Sequence, residues 1–90
     1  MAHTIRDKTK LIARVRRIRG QVQAVERALE AESGCAEVLR LIASVRGAVS
    51  GLMAEVVEGH IRVHVVEPAA AAQREKAAEE LVEVVKAYLK

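Results

Sequence analysis

The sequence concentrates its chemistry in four residues whose side chains are metal donors. His60 and His64 lie four residues apart, so on a helix they share one face and can hold a single ion. Cys35, the only cysteine, can supply a thiolate, and His3 is the remaining histidine. One thiolate with several imidazoles is a borderline donor set that suits Ni(II), Co(II), Zn(II) or Cu(II).

The spacing of these donors along the chain determines how they can meet. Metal ligands lie about 2.0–2.4 Å from the ion. Cys35 and His60 would be about 37 Å apart along one unbroken helix. They can share an ion if two copies run antiparallel, with Cys35 of one copy facing the histidine pair of the other. The crossing point then falls between Ala48 and Val49, within a segment of small residues, 47–51, that lets two backbones approach closely.

The number of available donors favours particular ions. With His3 and the N-terminal amine added, the set reaches up to five donors, which favours six-coordinate Ni(II) or Co(II) over tetrahedral Zn(II) or Cu(I), with Zn(II) still possible. Each donor also has a structural explanation on its own: a surface histidine pair, an inert cysteine, a histidine in a terminal arm. A purely structural helical oligomer therefore stays open as an alternative.

Positive charge is gathered at the start of the chain. The first twenty residues hold seven Lys or Arg residues and one Asp, although the whole chain carries only +3. This distribution favours a polyanionic partner, and the near absence of aromatic residues favours duplex DNA over single strands. A solvated helix face is the alternative. On a helical wheel Arg14 and Arg17 share one stripe of the first helix, and we expect Arg46 to be exposed on the second helix. We expect these three to be the main phosphate contacts, supported by Lys10, Arg16, Arg19 and Gln21.

Apolar residues recur at intervals of three and four, which predicts an all-α domain over residues 1–90. The expected helices cover about residues 5–31, 35–65 and 70–88. We expect a capping box of Thr4 with Asp7, an N-cap at Ser33, and a helix end enforced by Pro68. In the third helix the inward residues should be Ala78, Leu81, Val85 and Tyr88 or Leu89.

Composition excludes several classes of protein. A single cysteine rules out an internal disulfide framework. No apolar run reaches the roughly 18 residues of a membrane span, and the start of the chain lacks the apolar region of a signal peptide, so we expect a cytoplasmic protein. An enzyme built on a Cys35–His pair is disfavoured, because no oxyanion loop or glycine-rich cradle is recognisable.

The pattern resembles the CsoR/RcnR family of metal-sensing bacterial transcriptional repressors, from His3 to the end of the chain. The matching stretches are residues 1–8, 14–21, Cys35, 44–55 and 59–64. The resemblance is closest to the RcnR and DmeR nickel/cobalt sensors, whose ligands would fall on His3, Cys35, His60 and His64. Copper sensors place cysteine at the position of His64. Formaldehyde sensors typically carry proline where this chain has Ala2.

The resemblance implies an assembly and a mechanism. It implies a three-helix protomer, an antiparallel four-helix-bundle dimer and a dimer-of-dimers tetramer that binds operator DNA without a helix-turn-helix. By analogy, the metal-free protein represses an exporter gene and metal binding releases the DNA. The alternative is a formaldehyde-responsive repressor of the same fold, which would use Cys35 and the N-terminal amine.

Overall fold

The structure, a computed structural model, describes residues 3–88, without the side chains of His3 and Arg6. The helices are α1 (His3–Arg6), α2 (Lys8–Glu30), α3 (Cys35–His60), a π-helix (Ile61–Val66) and α4 (Ala71–Tyr88). No strand occurs between residues 3 and 88. The predicted all-α class with three long helices is therefore confirmed. Leu89, named above as a candidate inward residue, lies outside the described residues.

The first predicted helix, 5–31, is present as α1 and α2, which meet at Asp7. The carbonyl oxygen of Asp7 accepts a hydrogen bond from the N–H of Leu11 at 2.9 Å. The Asp7 side chain makes no capping hydrogen bond. The predicted capping box is wrong, because α1 already begins at His3 and Thr4 lies inside it.

The end of α2 is a Schellman motif formed without glycine. The N–H of Ser33 donates to the carbonyl of Ala28 at 2.9 Å, and the N–H of Glu32 donates to that of Leu29 at 3.1 Å. Glu32 occupies the left-handed position, with φ of 55°. Glycine is the usual residue there because it has no Cβ, so the turn places backbone strain on Glu32.

The start of α3 differs by one residue from the predicted cap. Gly34, not Ser33, directly precedes the helix, and its carbonyl accepts from the N–H of Val38 at 3.1 Å. Ser33 is instead used to close α2. From Cys35 the α-helix runs unbroken to His60. The two residues are therefore held at opposite ends of one helix, as the sequence predicts.

The second predicted helix ends in a π-helix. The N–H of Glu67 donates to the carbonyl of Arg62, five residues back, at 3.0 Å. Glu67 keeps right-handed helical angles, φ −70° and ψ −39°, although it precedes Pro68. Proline therefore ends the segment as predicted, but through a widened last turn rather than by turning residue 67 out of the helix.

The described residues form two compact units, one of residues 7–54 and the other of residues 55–88 with 3–6. In the unit of residues 7–54, the apolar residues that recur along α2 at intervals of three and four form its apolar stripe, and this stripe divides into two edges. Leu11, Ile18 and Val25 are half-buried. The alternate members are exposed by about half: Val15 by 50 %, Val22 by 49 % and Leu29 by 60 %.

Helix α3 divides its apolar stripe in the same way. Within the unit of residues 7–54, Val38 and Val45 are half-buried, while Ile42 and Val49 are exposed. Ala28 is the buried apolar residue that this unit contributes to the described core. Within this unit, α2 and α3 thus each bury one edge of the apolar stripe in part and leave the other edge exposed.

In the unit of residues 55–88 with 3–6, α4 packs against the π-helix. Ala77 of α4 is buried. Among the predicted inward residues of α4, Ala78 and Leu81 are half-buried. Val85 and Tyr88 are exposed, so their expected burial is not found within one chain. No helix in the described range combines the length and apolar character needed to cross a membrane.

Candidate metal centre and nucleic-acid interface

The two imidazoles of the candidate metal centre lie side by side. His60 is the last residue of α3 and His64 follows in the π-helix. Their ring centroids are 5.1 Å apart, and the ring planes are tilted by 47°. Two imidazoles that share an ion at about 2.0–2.1 Å have centroids about 5 Å apart, so this pair fits joint coordination.

Helix α4 holds the His60 ring in place. Nε2 of His60 lies 3.0 Å from the carbonyl oxygen of Ala77. A carbonyl oxygen can only accept, so Nε2 must carry the proton and donate. In the neutral ring this leaves Nδ1 deprotonated and able to bind a metal. Hydrogen bonds of this kind fix the tautomer and orientation of metal-binding histidines.

A polar cavity of about 740 Å³ opens beside the histidine pair. The π-helix contributes His64 to its wall, and α4 contributes Lys76 and Glu80, with Glu67 from the intervening segment. Both histidines are half-buried, so the cavity gives an ion or its ligands access from solvent. The two imidazoles therefore lie at an open site rather than in a closed core.

The described residues of one chain do not complete a metal site. No group of three His, Cys, Asp or Glu side chains within residues 3–88 is close enough to hold an ion, the undescribed His3 side chain aside. Cys35 is a free, exposed cysteine at the first position of α3. The residues described thus fit part of a metal site, two imidazoles.

One ion pair lies close to Cys35 in sequence. The guanidinium of Arg40 donates two hydrogen bonds to Glu37, at 2.7 and 3.1 Å. The hydrogen bond from Arg40 lowers the pKa of the Glu37 carboxyl, and the same bond raises the pKa of Arg40. Both groups are exposed, so the pair contributes little to stability.

The backbone of α1 places His3 in the same compact unit as the histidine pair. Residues 3–6 belong with residues 55–88, and His3 is the first residue of α1. The side chain of His3 lies outside the described residues.

The candidate DNA-binding residues differ in exposure. Arg14 and Gln21 are half-buried. The other five are exposed, as predicted for Arg46: Lys10, Arg16, Arg17, Arg19 and Arg46. Arg14, Arg17 and Gln21 line one shallow cavity together with Ser44 of α3. Within the unit of residues 7–54, the structure therefore brings three predicted contacts to one surface of α2.

Two features of these sites have little or no signal in the sequence. Nε2 of Gln21 donates to Oγ of Ser44 at 3.3 Å, which ties the basic helix to α3. The second is the carbonyl of Ala77, which orients His60. A backbone carbonyl leaves no trace in residue type. Pro68 indicated a helix end, but not the π-helix before it.

A basic helix and a histidine pair in one small helical protein fit the class of transcriptional regulators that respond to a metal, and comparison with known proteins identifies the family. The sequence model of the metal-sensitive transcriptional repressors matches residues 7–87. The chain belongs to this family. It is therefore a repressor rather than an enzyme, as predicted.

Individual relatives match over their full length. The chain is 55 % identical over 91 residues to a Serratia marcescens protein described as an uncharacterized protein in the bioA 5′ region, with 100 % of both chains covered. It is 47 % identical over 90 residues to the transcriptional repressor RcnR of Salmonella typhimurium, again with 100 % of both covered.

A solved structure shares the fold. It is a Glu-to-His variant of the formaldehyde-responsive regulator FrmR from Salmonella enterica serovar Typhimurium, with a TM-score of 0.83 and 46 % identity. The match covers 92 % of this chain and 94 % of that one. The comparisons thus confirm the resemblance to the CsoR/RcnR family drawn from the sequence.

Proposed function

We propose that this repressor responds to Ni(II) or Co(II): the metal-free protein binds operator DNA, and metal binding releases it and derepresses metal efflux. The observation that carries the proposal is the His60–His64 pair, whose 5.1 Å centroid separation suits joint coordination. The relative RcnR, 47 % identical, supports a repressor of this type.

The proposed site is shared between two protomers. His60 and His64 of one protomer bind the ion with Cys35 of its antiparallel partner and with His3. Two facts support this arrangement: the described residues of one chain hold no group of three donors, and Cys35 is free and exposed. An antiparallel dimer would bring these donors together twice, because its two-fold axis repeats every contact.

Oligomerisation is supported by the uncovered apolar edges of α2 and α3. Val15, Leu29 and Leu39 are each at least half exposed. Such side chains along a helix are costly in water and favour burial against another copy. We propose the antiparallel four-helix-bundle dimer and its dimer-of-dimers tetramer as the state that covers them.

On the DNA side, Arg14, Arg17 and Arg46 make the main phosphate contacts, supported by Lys10, Arg16, Arg19 and Gln21. Phosphate contacts make affinity depend steeply on salt and leave part of the sequence choice to DNA shape. The charge of this surface, the family assignment and the exposure of most of these cations support the interface. A cytoplasmic location follows from this role.

Coupling between the metal site and the DNA-binding surface produces the release of DNA. A bound Ni(II), Co(II) or Zn(II) ion would supply a Lewis-acidic centre for donors of both protomers. The residues of the chain do the rest: His3 moves toward His60 and His64 and carries the start of the basic helix with it. Thermodynamic linkage requires DNA to weaken metal binding by the factor by which metal weakens DNA binding.

A formaldehyde-responsive repressor is the second candidate. The structural likeness to FrmR, at 46 % identity, and the free, exposed thiol of Cys35 favour it. In that case Cys35 and the N-terminal amine would react with formaldehyde, and the histidine pair would have no role in the response.

A mobility-shift titration separates these candidates. The probe is a duplex that the metal-free protein selects from a random-sequence pool. The bound complex is then exposed in parallel to Ni(II), Co(II), Zn(II), Cu(I) and formaldehyde. Release by Ni(II) or Co(II) alone supports the proposal, and release by formaldehyde alone replaces it with the second candidate. Failure of every inducer to release the DNA, with no metal bound, would overturn both candidates.

A further inference from the structure

Away from their ends, helices α2 and α3 contain three glycines, Gly20, Gly47 and Gly51, and Gly59 is the penultimate residue of α3. Glycine inside a helix is unfavourable relative to alanine, because it loses more conformational freedom on folding. None of the three has a positive φ that would require glycine. A missing Cβ is therefore useful only where another group needs the space.

Gly51 is the one of these three at which an added Cβ would be crowded by another side chain. A Cβ built on Gly51 would lie 3.1 Å from Nη1 of Arg14, closer than the 3.4–4 Å of ordinary van der Waals contact. A Cβ on Gly47, one helical turn earlier, would meet nothing within 4 Å, and the same holds for Gly20. The guanidinium of Arg14 thus lies directly over the α3 backbone at Gly51.

This contact restrains the guanidinium of Arg14, whose side chain reaches from α2 to α3. Arg14 is half-buried and lines the shallow cavity shared with Arg17, Gln21 and Ser44. A long arginine side chain loses considerable freedom when it docks on a partner, and holding it beforehand reduces that loss. Arg14 is therefore preorganised by α3 in a way that the exposed Arg16 and Arg19 are not.

We propose that Gly51 is a positioning residue for DNA binding: its missing Cβ lets the guanidinium of Arg14 lie against α3 in the orientation that meets a phosphate. The inference rests on the proposed function, which places Arg14 in the interface. Alanine at position 51 displaces the guanidinium by a few tenths of an ångström and loosens that orientation.

The test compares Gly51→Ala with Gly47→Ala, because both make the same change in the same helix. The probe is the duplex selected by the metal-free wild type, and affinity is measured at several salt concentrations. Gly51→Ala should weaken binding about threefold or more. If Arg14 no longer neutralises its phosphate, the slope of log affinity against log salt falls by about 0.9. Because Gly47 lies at the predicted crossing of two chains, affinity is compared at protein concentrations at which both variants are fully assembled. Under that condition Gly47→Ala should leave both values unchanged, and both variants should bind Ni(II) as the wild type does.

A double-mutant cycle separates positioning from general damage. In an Arg14→Ala background, Gly51→Ala should have no further effect on affinity. If Gly51→Ala weakens binding equally in both backgrounds, it acts through assembly or folding and the inference is overturned. If Arg14→Ala itself leaves affinity unchanged, the failure lies in the proposed interface. If Arg14→Ala weakens binding and Gly51→Ala does not, the failure lies in this inference alone.

A measurement on the unaltered chain keeps the inference testable should Gly51→Ala not fold. Nuclear Overhauser effects are expected between the Gly51 Hα protons and the Arg14 guanidinium in the metal-free oligomer. A spectrum in which Gly51 is assigned and shows no such effect with Arg14 would overturn the inference.

Discussion

Nε2 of His60 lies 3.0 Å from the carbonyl oxygen of Ala77, so a histidine at the end of α3 is held by the backbone of α4. Because the carbonyl accepts, the neutral ring must be the Nε2–H tautomer, and Nδ1 is the nitrogen left for a metal. The candidate metal centre is thereby linked to α4 through a hydrogen bond that involves no second side chain.

The tautomer of His60 is the first prediction. A long-range ¹H–¹⁵N spectrum of the metal-free protein should show the neutral His60 ring protonated at Nε2. Addition of Ni(II) or diamagnetic Zn(II) should perturb Nδ1 and leave the Nε2 proton in place. The ring of His64, observed in the same spectrum, is the internal control for the ring of His60. A neutral His60 ring protonated at Nδ1 would contradict the hydrogen bond to Ala77.

The shared site predicts that two defective variants repair each other. Cys35→Ser alone and the double variant His60→Ala/His64→Ala alone should each bind metal poorly. A mixed dimer regains one intact site, because Cys35 of one chain faces both histidines of the other. Random pairing should recover about a quarter of the wild-type sites. Cobalt–thiolate absorption reports this recovery. No absorption in the mixture, with mixed dimers verified by mass, would show that the donors come from one chain.

Much of the fold could be predicted because helical periodicity and helix breakers are local. Repeated apolar spacing located the helices, and Pro68 located the end of the second. The caps were less predictable, since several polar residues compete for one position. Ser33 looked like the N-cap of α3, yet its N–H closes the Schellman turn of α2, and Gly34 precedes α3 instead.

In the candidate site, only the residues whose function depends on the type of side chain could be predicted from the sequence. Spacing placed His60 and His64 on one face, and the structure brings their rings within 5.1 Å. The burial predicted for Val85 and Tyr88 depends on what covers α4, and one chain leaves both exposed. The prediction that residues 1–90 form one domain stays a prediction. The same holds for the DNA contacts and for the ligand roles of His3, Cys35, His60 and His64.

Arg17 provides a test of the DNA interface that is independent of Gly51. Arg17→Ala removes one exposed cation from the surface formed with Gln21 and Ser44. Affinity for the selected duplex should fall, and the salt slope should decrease by about 0.9, because one fewer phosphate is neutralised. Arg27→Ala is the control, because Arg27 is an exposed cation of the same helix outside the proposed interface. Equal effects of both variants would point to net charge rather than to a defined contact.

Glu32 limits stability at the turn after α2, because its φ of 55° is unfavourable for a residue with a Cβ. Glu32→Gly relieves this strain and should raise the free energy of unfolding by up to about 1 kcal/mol. Glu30→Gly is the control: Glu30 is the last residue of α2, and glycine there should lower stability. Thermal unfolding at one fixed protein concentration measures both. A lower melting temperature for Glu32→Gly would contradict this explanation.

Arg74 of α4 is bonded to the short segment that connects the π-helix with α4. Its Nη1 donates to the carbonyl oxygens of Pro68 and Ala69, each at 2.8 Å. Hydrogen bonds from a charged donor are among the stronger ones, so Arg74→Met, which keeps the apolar stem, should lower the free energy of unfolding by about 1.5–3 kcal/mol. The matched control is Arg62→Met, because Arg62 pairs with Glu58 at an exposed position and should contribute at most about 1 kcal/mol. Chemical denaturation of both variants at the same protein concentration measures the difference.

Because α4 also carries the Ala77 carbonyl, Arg74→Met should reduce Ni(II) affinity more than Arg62→Met does. Equal stability and equal Ni(II) affinity in the two variants would show that Arg74 does not hold α4 in place.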